Sequence, residues 1–169
     1  MAEQAGLHYY AKVPWKKGSV INNVGRTSKN TEDIMIFYSG KPKYRRDAKK
    51  DKRETGENHY MFGAAGMLPT EFDFQPPRKK DKIHQSEKPV ALYEKLLDFF
   101  TKENDIVLDS FAGSGSVGIA CALKKRSCIL IEKSKDFCEK IRKRFKNAGL
   151  GLSNVSLIDT EILSHPQTA

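Results

Sequence analysis

The stretch that decides the fold is Ile106-Val107-Leu108-Asp109-Ser110-Phe111-Ala112-Gly113-Ser114-Gly115-Ser116. Its first residues form a short apolar run that ends on a carboxylate, and this pattern predicts a buried strand. Small residues and two glycines follow, and an apolar segment typical of a helix begins at Val117. A strand with an acidic end, a glycine turn and a helix are the elements with which an open α/β sheet forms a nucleotide-type pocket.

The rest of the C-terminal half alternates between helix and strand patterns. Apolar residues recur at helical spacing after Pro89, which suits the first turn of a helix. Beyond the glycine turn we expect a helix over 116–124, a strand at 128–131 that ends on Glu132, a helix over 134–147 and a short strand at 155–158. Such alternation predicts a parallel sheet with right-handed crossovers, and hence an α/β fold.

The N-terminal third has a β pattern. We expect strands at 9–15 and 32–38, and the proline at position 14 places the first of them at a sheet edge or a strand end. Residues 22–30 are predicted to form a turn. The whole chain, 1–169, is expected to form a single domain. Its predicted parts are a β-rich part at 1–40, a basic loop and connector at 41–83, and a pocket-bearing βαβα part at 84–150.

The net charge of +9 favours a polyanionic partner, with nucleic acid first and a membrane surface second. The charge is clustered in residues 41–53, in 78–82 and in 140–146. The first two clusters suit either a solvated loop or a surface that faces DNA, whereas the third is predicted to be the solvated face of a helix.

Several classes of protein are disfavoured by the sequence. No apolar run approaches the roughly 20 residues of a membrane span, and the first residues show no secretory signal. Cys121, Cys128 and Cys138 have no CxxC spacing, so we expect reduced core thiols in a cytoplasmic protein and no metal site.

Two ligands suit the glycine turn. Gly113, Gly115 and Gly118 match the GxGxxG pattern, and Glu132 could bond the ribose hydroxyls of a nicotinamide dinucleotide. However, Asp109 directly before the glycines would repel a pyrophosphate, and no second mononucleotide half follows residue 150. A cationic ligand without phosphate, such as S-adenosylmethionine, suits this carboxylate better.

The sequence resembles the amino-group DNA methyltransferases. Residues 109–116 are similar to the adenosylmethionine motif D-P-F-x-G-S-G-T of that family, with Ser110 in place of proline. Residues 84–92 (His-Gln-Ser-Glu-Lys-Pro-Val-Ala-Leu) resemble its H-P-T-x-K-P-x-x-L element, with Gln85 in place of proline, and 129–132 resemble its second-strand acidic motif. This order is that of the permuted β-class enzymes, which methylate N6 of adenine or N4 of cytosine.

The resemblance implies a Rossmann-like adenosylmethionine-dependent methyltransferase sheet in permuted order, with double-stranded DNA as partner. It implies that the glycine turn wraps the methionine portion and the ribose edge, and that Glu132 takes the ribose hydroxyls. It also implies that the element at residues 84–92, called the Lys-Pro segment below, lies against the methionine carboxylate. The cofactor-binding residues implied are Ser86, Lys88, Pro89, Asp109, Phe111, Ala112, Gly113, Ser114, Gly115 and Glu132. The basic loop supplies the candidate DNA-binding residues Lys43, Arg45, Arg46, Lys49 and Lys50.

The D/N/S-P-P-Y/F/W motif, with which this family holds the target amino group, does not occur in the sequence. Its single Pro-Pro pair, Pro76-Pro77, is followed by Arg78 rather than an aromatic residue, so we expect a connector loop there and assign no catalytic residue. The sheet is therefore expected to be incomplete and the chain to be inactive alone.

Three explanations remain open at this point. The chain is either the C-terminal part of a longer enzyme, a subunit of a split methyltransferase, or a nucleic-acid-binding module without catalysis. An RNA methyltransferase is a further alternative, which the permuted motif order disfavours. The unpaired sheet edge predicts a homodimer or a partner chain that carries the missing motif.

Overall fold

The computed structural model describes residues 3–18, 22–24, 27–39 and 68–160. They belong to two compact units, one made of residues 1–76 with 98–101 and the other of residues 77–97 with 102–169. The organisation into a single domain, which the chain length suggested, stays a prediction.

The first unit contains a three-stranded sheet. Strand β1 (His8–Lys16) pairs antiparallel with β4 (Thr31–Tyr38) and, at its last two residues, parallel with the short β5 (Phe72–Asp73). Within the described ranges β1 has a second neighbour only at Trp15 and Lys16. Pro14, which lacks a backbone N–H, therefore lies in the part of β1 that has one neighbour, as a proline requires.

The sequence predicted a turn over residues 22–30, but residues 22–24 and 27–29 form two strands. β2 (Asn22–Val24) and β3 (Thr27–Lys29) pair antiparallel in a separate two-stranded sheet. The prediction was wrong because these strands are short and polar, so they lack the alternation of apolar residues that identifies a half-buried strand. β2 and β3 are strands because their backbones pair with each other, and backbone pairing does not require alternating apolar residues in the sequence.

The core of the first unit is aromatic. Trp15, Phe72 and Phe99 are each 2% exposed, and the rings of Phe72 and Phe99 lie 6.0 Å apart. The indole N–H of Trp15 donates a hydrogen bond of 2.8 Å to the Phe74 carbonyl. This bond anchors the segment that enters the Pro-Pro pair, which agrees with a connector at that position.

The second unit contains the alternating elements that the sequence predicted. Its three parallel strands are β6 (Ile106–Asp109), β7 (Ser127–Glu132) and β8 (Val155–Asp159), in that order in the sheet. Its helices are α1 (Val90–Phe100), whose last residues belong to the first unit, α2 (Ser116–Leu123) and α3 (Lys135–Asn147). The α/β fold predicted from periodicity is thus confirmed.

Close packing of α2 on the sheet holds this unit together. Leu130, Ile141 and Phe145 are almost completely buried. A Cβ atom at Gly118 would lie 2.7 Å from Leu130 Cδ1 and 3.1 Å from Phe145 Cζ, so a glycine lets α2 approach β7 and α3.

The three cysteines are buried and none of them is in a disulfide, as expected for reduced core thiols. Among the described residues, no helix combines the length and apolar character needed to cross a membrane.

Candidate functional site

Three carboxylates end the three parallel strands at one edge of the sheet. Asp109 ends β6, Glu132 ends β7, and Asp159 ends β8 in register with Glu132. The carboxyl ends of parallel strands are where open α/β sheets bind ligands. Asp159 was not among the residues predicted from the sequence, although its position at the end of a predicted strand was a usable signal.

The glycine turn after β6 needs the backbone freedom of glycine. Gly113 has a φ angle of +52° and Gly115 one of +73°, both in the left-handed region. A Cβ atom on Gly115 would also lie 3.0 Å from Ile141 Cγ1. The turn is tied to the sheet because the Ala112 N–H donates a 3.0 Å hydrogen bond to the Ile131 carbonyl.

Glu132 fixes the geometry of this edge. One carboxylate oxygen accepts a 2.8 Å hydrogen bond from the backbone N–H of Gly113, and the other accepts one of 2.8 Å from the N–H of Ser134, just before α3. A carboxylate has about four lone-pair sites, so each oxygen keeps capacity for a further donor such as a ligand hydroxyl.

Asp109 lies close enough to Glu132 for the two charges to interact. Burial raises the pKa of the Asp109 carboxyl, a hydrogen bond from the Phe111 N–H opposes this rise, and the charge of Glu132 adds to it. Two carboxylates thus lie near each other at the ends of neighbouring strands, and such an arrangement suits a cationic ligand.

The structure brings the Lys-Pro segment beside the glycine turn. A Cβ atom on Gly113 would lie 3.6 Å from Cγ of His84, and the His84 ring packs against Phe137 with centroids 4.9 Å apart. The Ser86 N–H donates a 3.1 Å hydrogen bond to Nδ1 of His84, which folds the segment back on itself. Lys88 and Pro89 follow, half-buried, immediately before α1.

The side chains of the predicted binding residues have different environments. Phe111 is 91% exposed, whereas Ala112 and Ser114 are buried. The Ser114 hydroxyl lies 3.1 Å from that of Ser116. Ser114 and Ala112 therefore face the protein interior with their side chains, and contact with a ligand would come through their backbone. The candidate DNA-binding residues Lys43, Arg45, Arg46, Lys49 and Lys50 lie outside the described residues.

The basic cluster on α3 is not simply a solvated face, because Arg144 points inward. Its Nη2 lies 2.9 Å from Oε1 of Glu87, and its Nη1 donates to the Ser114 carbonyl at 2.9 Å and to the Ser116 hydroxyl at 3.0 Å. Neither Arg144 nor Glu87 was predicted from the sequence to have a structural or functional role. Helical spacing offered a signal, since Arg144 follows the buried Ile141 by one turn and precedes the buried Phe145.

Two basic clusters that are distant in the sequence meet around one cavity of about 420 Å³. Its lining contains cationic side chains from both clusters and no acidic one. The lining residues are Lys82, Ile83, Lys140, Lys143, Arg144 and Asn147. None of the residues predicted to bind the cofactor lines this cavity.

Comparison with known proteins assigns the family. The model of the N6_N4_Mtase family, described as DNA methylase, matches residues 1–143. The chain belongs to this DNA methylase family. The resemblance inferred from the three motifs is thereby confirmed, and the α/β sheet of the second unit agrees with it.

Relatives in the DNA methylase family are longer than this chain. Type II methyltransferase M.HpaI of Haemophilus parainfluenzae is 27% identical over 161 residues, which cover 92% of this chain and 51% of that protein. Type II methyltransferase M2.MboI of Moraxella bovis is 37% identical over 62 residues, or 37% of this chain and 23% of that protein. The chain spans about half the length of M.HpaI.

A solved structure of a related protein has the same fold. The crystal structure of the M1.HpyAVI–SAM complex matches with a TM-score of 0.62 and 26% sequence identity. The match covers 85% of this chain and 65% of that chain. It supports a partial Rossmann-like fold for this member of the DNA methylase family.

Proposed function

We propose that the chain binds S-adenosylmethionine at the edge formed by the ends of β6 and β7. The arrangement of Asp109, Gly113 and Glu132 carries this proposal, because it combines two carboxylates with a close backbone approach. Membership in the DNA methylase family and the similarity to the M1.HpyAVI–SAM complex support it. When bound, the cofactor supplies an electrophilic methyl group on a sulfonium.

Each group at the edge has a proposed part in holding the cofactor. The Glu132 carboxylate accepts hydrogen bonds from the ribose hydroxyls, while it keeps those from the Gly113 and Ser134 N–H groups. Asp109 and the backbone of the glycine turn face the methionine portion, where a carboxylate stabilises the ammonium group. Ser86, Lys88 and Pro89, at the start of α1, lie against the methionine carboxylate, since a cation and a helix N-terminus both favour an anion.

The proposed activity is that of the cofactor-binding part of an amino DNA methyltransferase, which acts on N6 of adenine or N4 of cytosine in double-stranded DNA. The net charge of +9 favours DNA as a partner, and the residues proposed to contact it are those of the basic loop at 41–58. The sequence contains no Pro-Pro-aromatic motif, so we infer that transfer requires a further segment or a partner chain that supplies it.

Isothermal titration calorimetry of the 169-residue chain tests the cofactor assignment. We expect binding of S-adenosylmethionine and of S-adenosylhomocysteine, and no binding of NADH, because the charge of Asp109 opposes a pyrophosphate. Absence of S-adenosylmethionine binding at millimolar concentration, or binding of NADH, would overturn the proposal.

A nucleic-acid-binding module without catalysis is a second candidate, favoured by the net charge and by the absent motif. Filter binding compares the affinity of the chain for duplex DNA with its affinity for RNA, and so shows which nucleic acid it prefers. Reversing the charges of Arg45, Arg46, Lys49 and Lys50 should weaken DNA binding and flatten its salt dependence. DNA binding together with no cofactor binding would favour this second candidate over the first.

A further inference from the structure

The second unit contains a buried ion pair that no step of the proposed function uses. The side chain of Glu87 is 3% exposed and that of Arg144 is 19% exposed, with 2.9 Å between Oε1 and Nη2. The other oxygen of Glu87 accepts hydrogen bonds from the backbone N–H groups of Ile83, at 2.8 Å, and His84, at 3.4 Å. The Glu87 carboxylate is therefore removed from solvent, the Arg144 side chain is largely buried, and both are held by several partners.

This pair joins two segments that are distant in the sequence. Glu87 lies in the Lys-Pro segment between Ser86 and Lys88. At its other end the guanidinium of Arg144 donates to the Ser114 carbonyl and the Ser116 hydroxyl in the glycine turn. A planar guanidinium with several fixed donors defines direction as well as distance, so one side chain of α3 sets how the two segments lie relative to each other.

A buried ion pair is a poor source of stability, because desolvation offsets most of its Coulomb attraction. Its best attested use is to specify one arrangement among several. The pair is therefore better explained by its holding two segments in one arrangement than by a gain in folding free energy.

We propose that Arg144 and Glu87 are a positioning pair that sets the spacing between the Lys-Pro segment and the glycine turn, and thereby shapes the methionine end of the cofactor site. The proposal rests on the proposed function, because the ligand is the cofactor assigned there. Neither residue contacts the ligand in this arrangement. They act through Ser86 and Lys88 on one side and through the glycine-turn backbone on the other.

The position of the pair predicts a selective effect. S-adenosylmethionine carries both a ribose and a methionine group, and its methionine group lies between the two segments. 5′-Methylthioadenosine has the same adenine and ribose but lacks the amino-acid portion. Loss of the pair should therefore weaken binding of the first ligand much more than binding of the second, whereas a general loosening of the fold would weaken both equally.

The experiment is calorimetric titration of the 169-residue chain with each ligand. We expect R144M and E87Q to lose about tenfold or more in affinity for S-adenosylmethionine, which corresponds to about 1.4 kcal/mol. The affinity for 5′-methylthioadenosine should change much less. R142M is the matched control, because Arg142 lies on the same helix with its side chain exposed, and it should bind both ligands as the unaltered chain does.

R144K is a second variant in case R144M does not fold, because it keeps the charge beside Glu87 and loses the planar fork. We expect it to keep the native circular dichroism spectrum and to lose affinity for S-adenosylmethionine selectively. An equal loss for both ligands, or no loss in R144K and E87Q, would overturn the positioning role while leaving the proposed function intact. Failure of the unaltered chain to bind either ligand would overturn the proposed function and this inference with it.

Discussion

The carboxylate of Glu132 accepts a 2.8 Å hydrogen bond from the backbone N–H of Gly113, so the end of β7 holds the glycine turn that follows β6. Its second oxygen accepts a hydrogen bond from the N–H of Ser134, just before α3. The side chain proposed to bind the ribose thus also organises the loop that surrounds the ligand. Its removal should affect both stability and binding.

The E132A variant should lower the free energy of unfolding by about 1–3 kcal/mol, because two backbone donors lose their acceptor. E132Q retains one acceptor oxygen and should lose less stability, while its neutral amide still weakens binding to ribose hydroxyls. Urea unfolding and calorimetric titration measure the two effects. Binding of S-adenosylmethionine by E132Q with the affinity of the unaltered chain would contradict the assigned role.

The D109N variant should change stability and binding in opposite directions. The pKa of Asp109 is raised in the folded state, so the fold favours the protonated carboxyl. The stability that this preference contributes is complete below the ordinary aspartate pKa and is lost as the pH rises through the folded value. At pH 7 the neutral asparagine, which can still accept the Phe111 N–H bond, should therefore unfold at a higher urea concentration than the ionised aspartate.

The D109N variant should bind S-adenosylmethionine more weakly, because the ammonium group of the cofactor loses its carboxylate partner. Unfolding curves from pH 4 to pH 8 and calorimetry at pH 7 test both parts. The pH dependence that Asp109 contributes should be absent from D109N. A D109N chain that is less stable at pH 7 than the unaltered chain would show that burial does not destabilise the ionised carboxylate. Unchanged affinity of D109N for S-adenosylmethionine would show that Asp109 is not part of the site.

The G118A variant should destabilise the second unit. A methyl group there meets Leu130 Cδ1 at 2.7 Å, and Leu130 is 0% exposed. Overpacking costs about 1–3 kcal/mol, which exceeds the gain of up to about 1 kcal/mol from replacing a helical glycine with alanine. G151A is the control, because a Cβ there has no neighbour closer than 3.9 Å. A G118A chain that unfolds at a higher temperature than the unaltered chain would show that α2 has room to move away from β7.

The outer edge of the sheet in the second unit should promote self-association. Among the described strands β6 lies at the end of its sheet, and Ile106 and Leu108 are 72% and 62% exposed. An edge strand with apolar side chains is a template for pairing with another chain. Sedimentation velocity should show concentration-dependent association that is lost in the I106K/L108K variant and kept in the control L152K. Association unchanged by the edge substitutions would place the contact elsewhere.

Local patterns predicted most of the second unit. The strand-turn-helix from Ile106 onward, the helix after Pro89 and the strand that ends on Glu132 all lie close to their expected bounds. Each of these features depends on residues near one another in the chain, namely on hydrophobic periodicity and on the freedom of glycine. The short polar strands β2 and β3 escaped prediction because they lack that periodicity.

The amino-acid sequence by itself therefore determined the order of strands and helices in the second unit, the position of the glycine turn and the family, because these features are encoded in short contiguous motifs. Only the tertiary structure decided which charges face inward. In the sequence Glu87 and Arg144 each resemble an ordinary surface residue. They form an ion pair because α3 packs beside the Lys-Pro segment in the folded chain. A buried ion pair depends on which elements lie against each other, and that is a property of the folded chain rather than of any one segment.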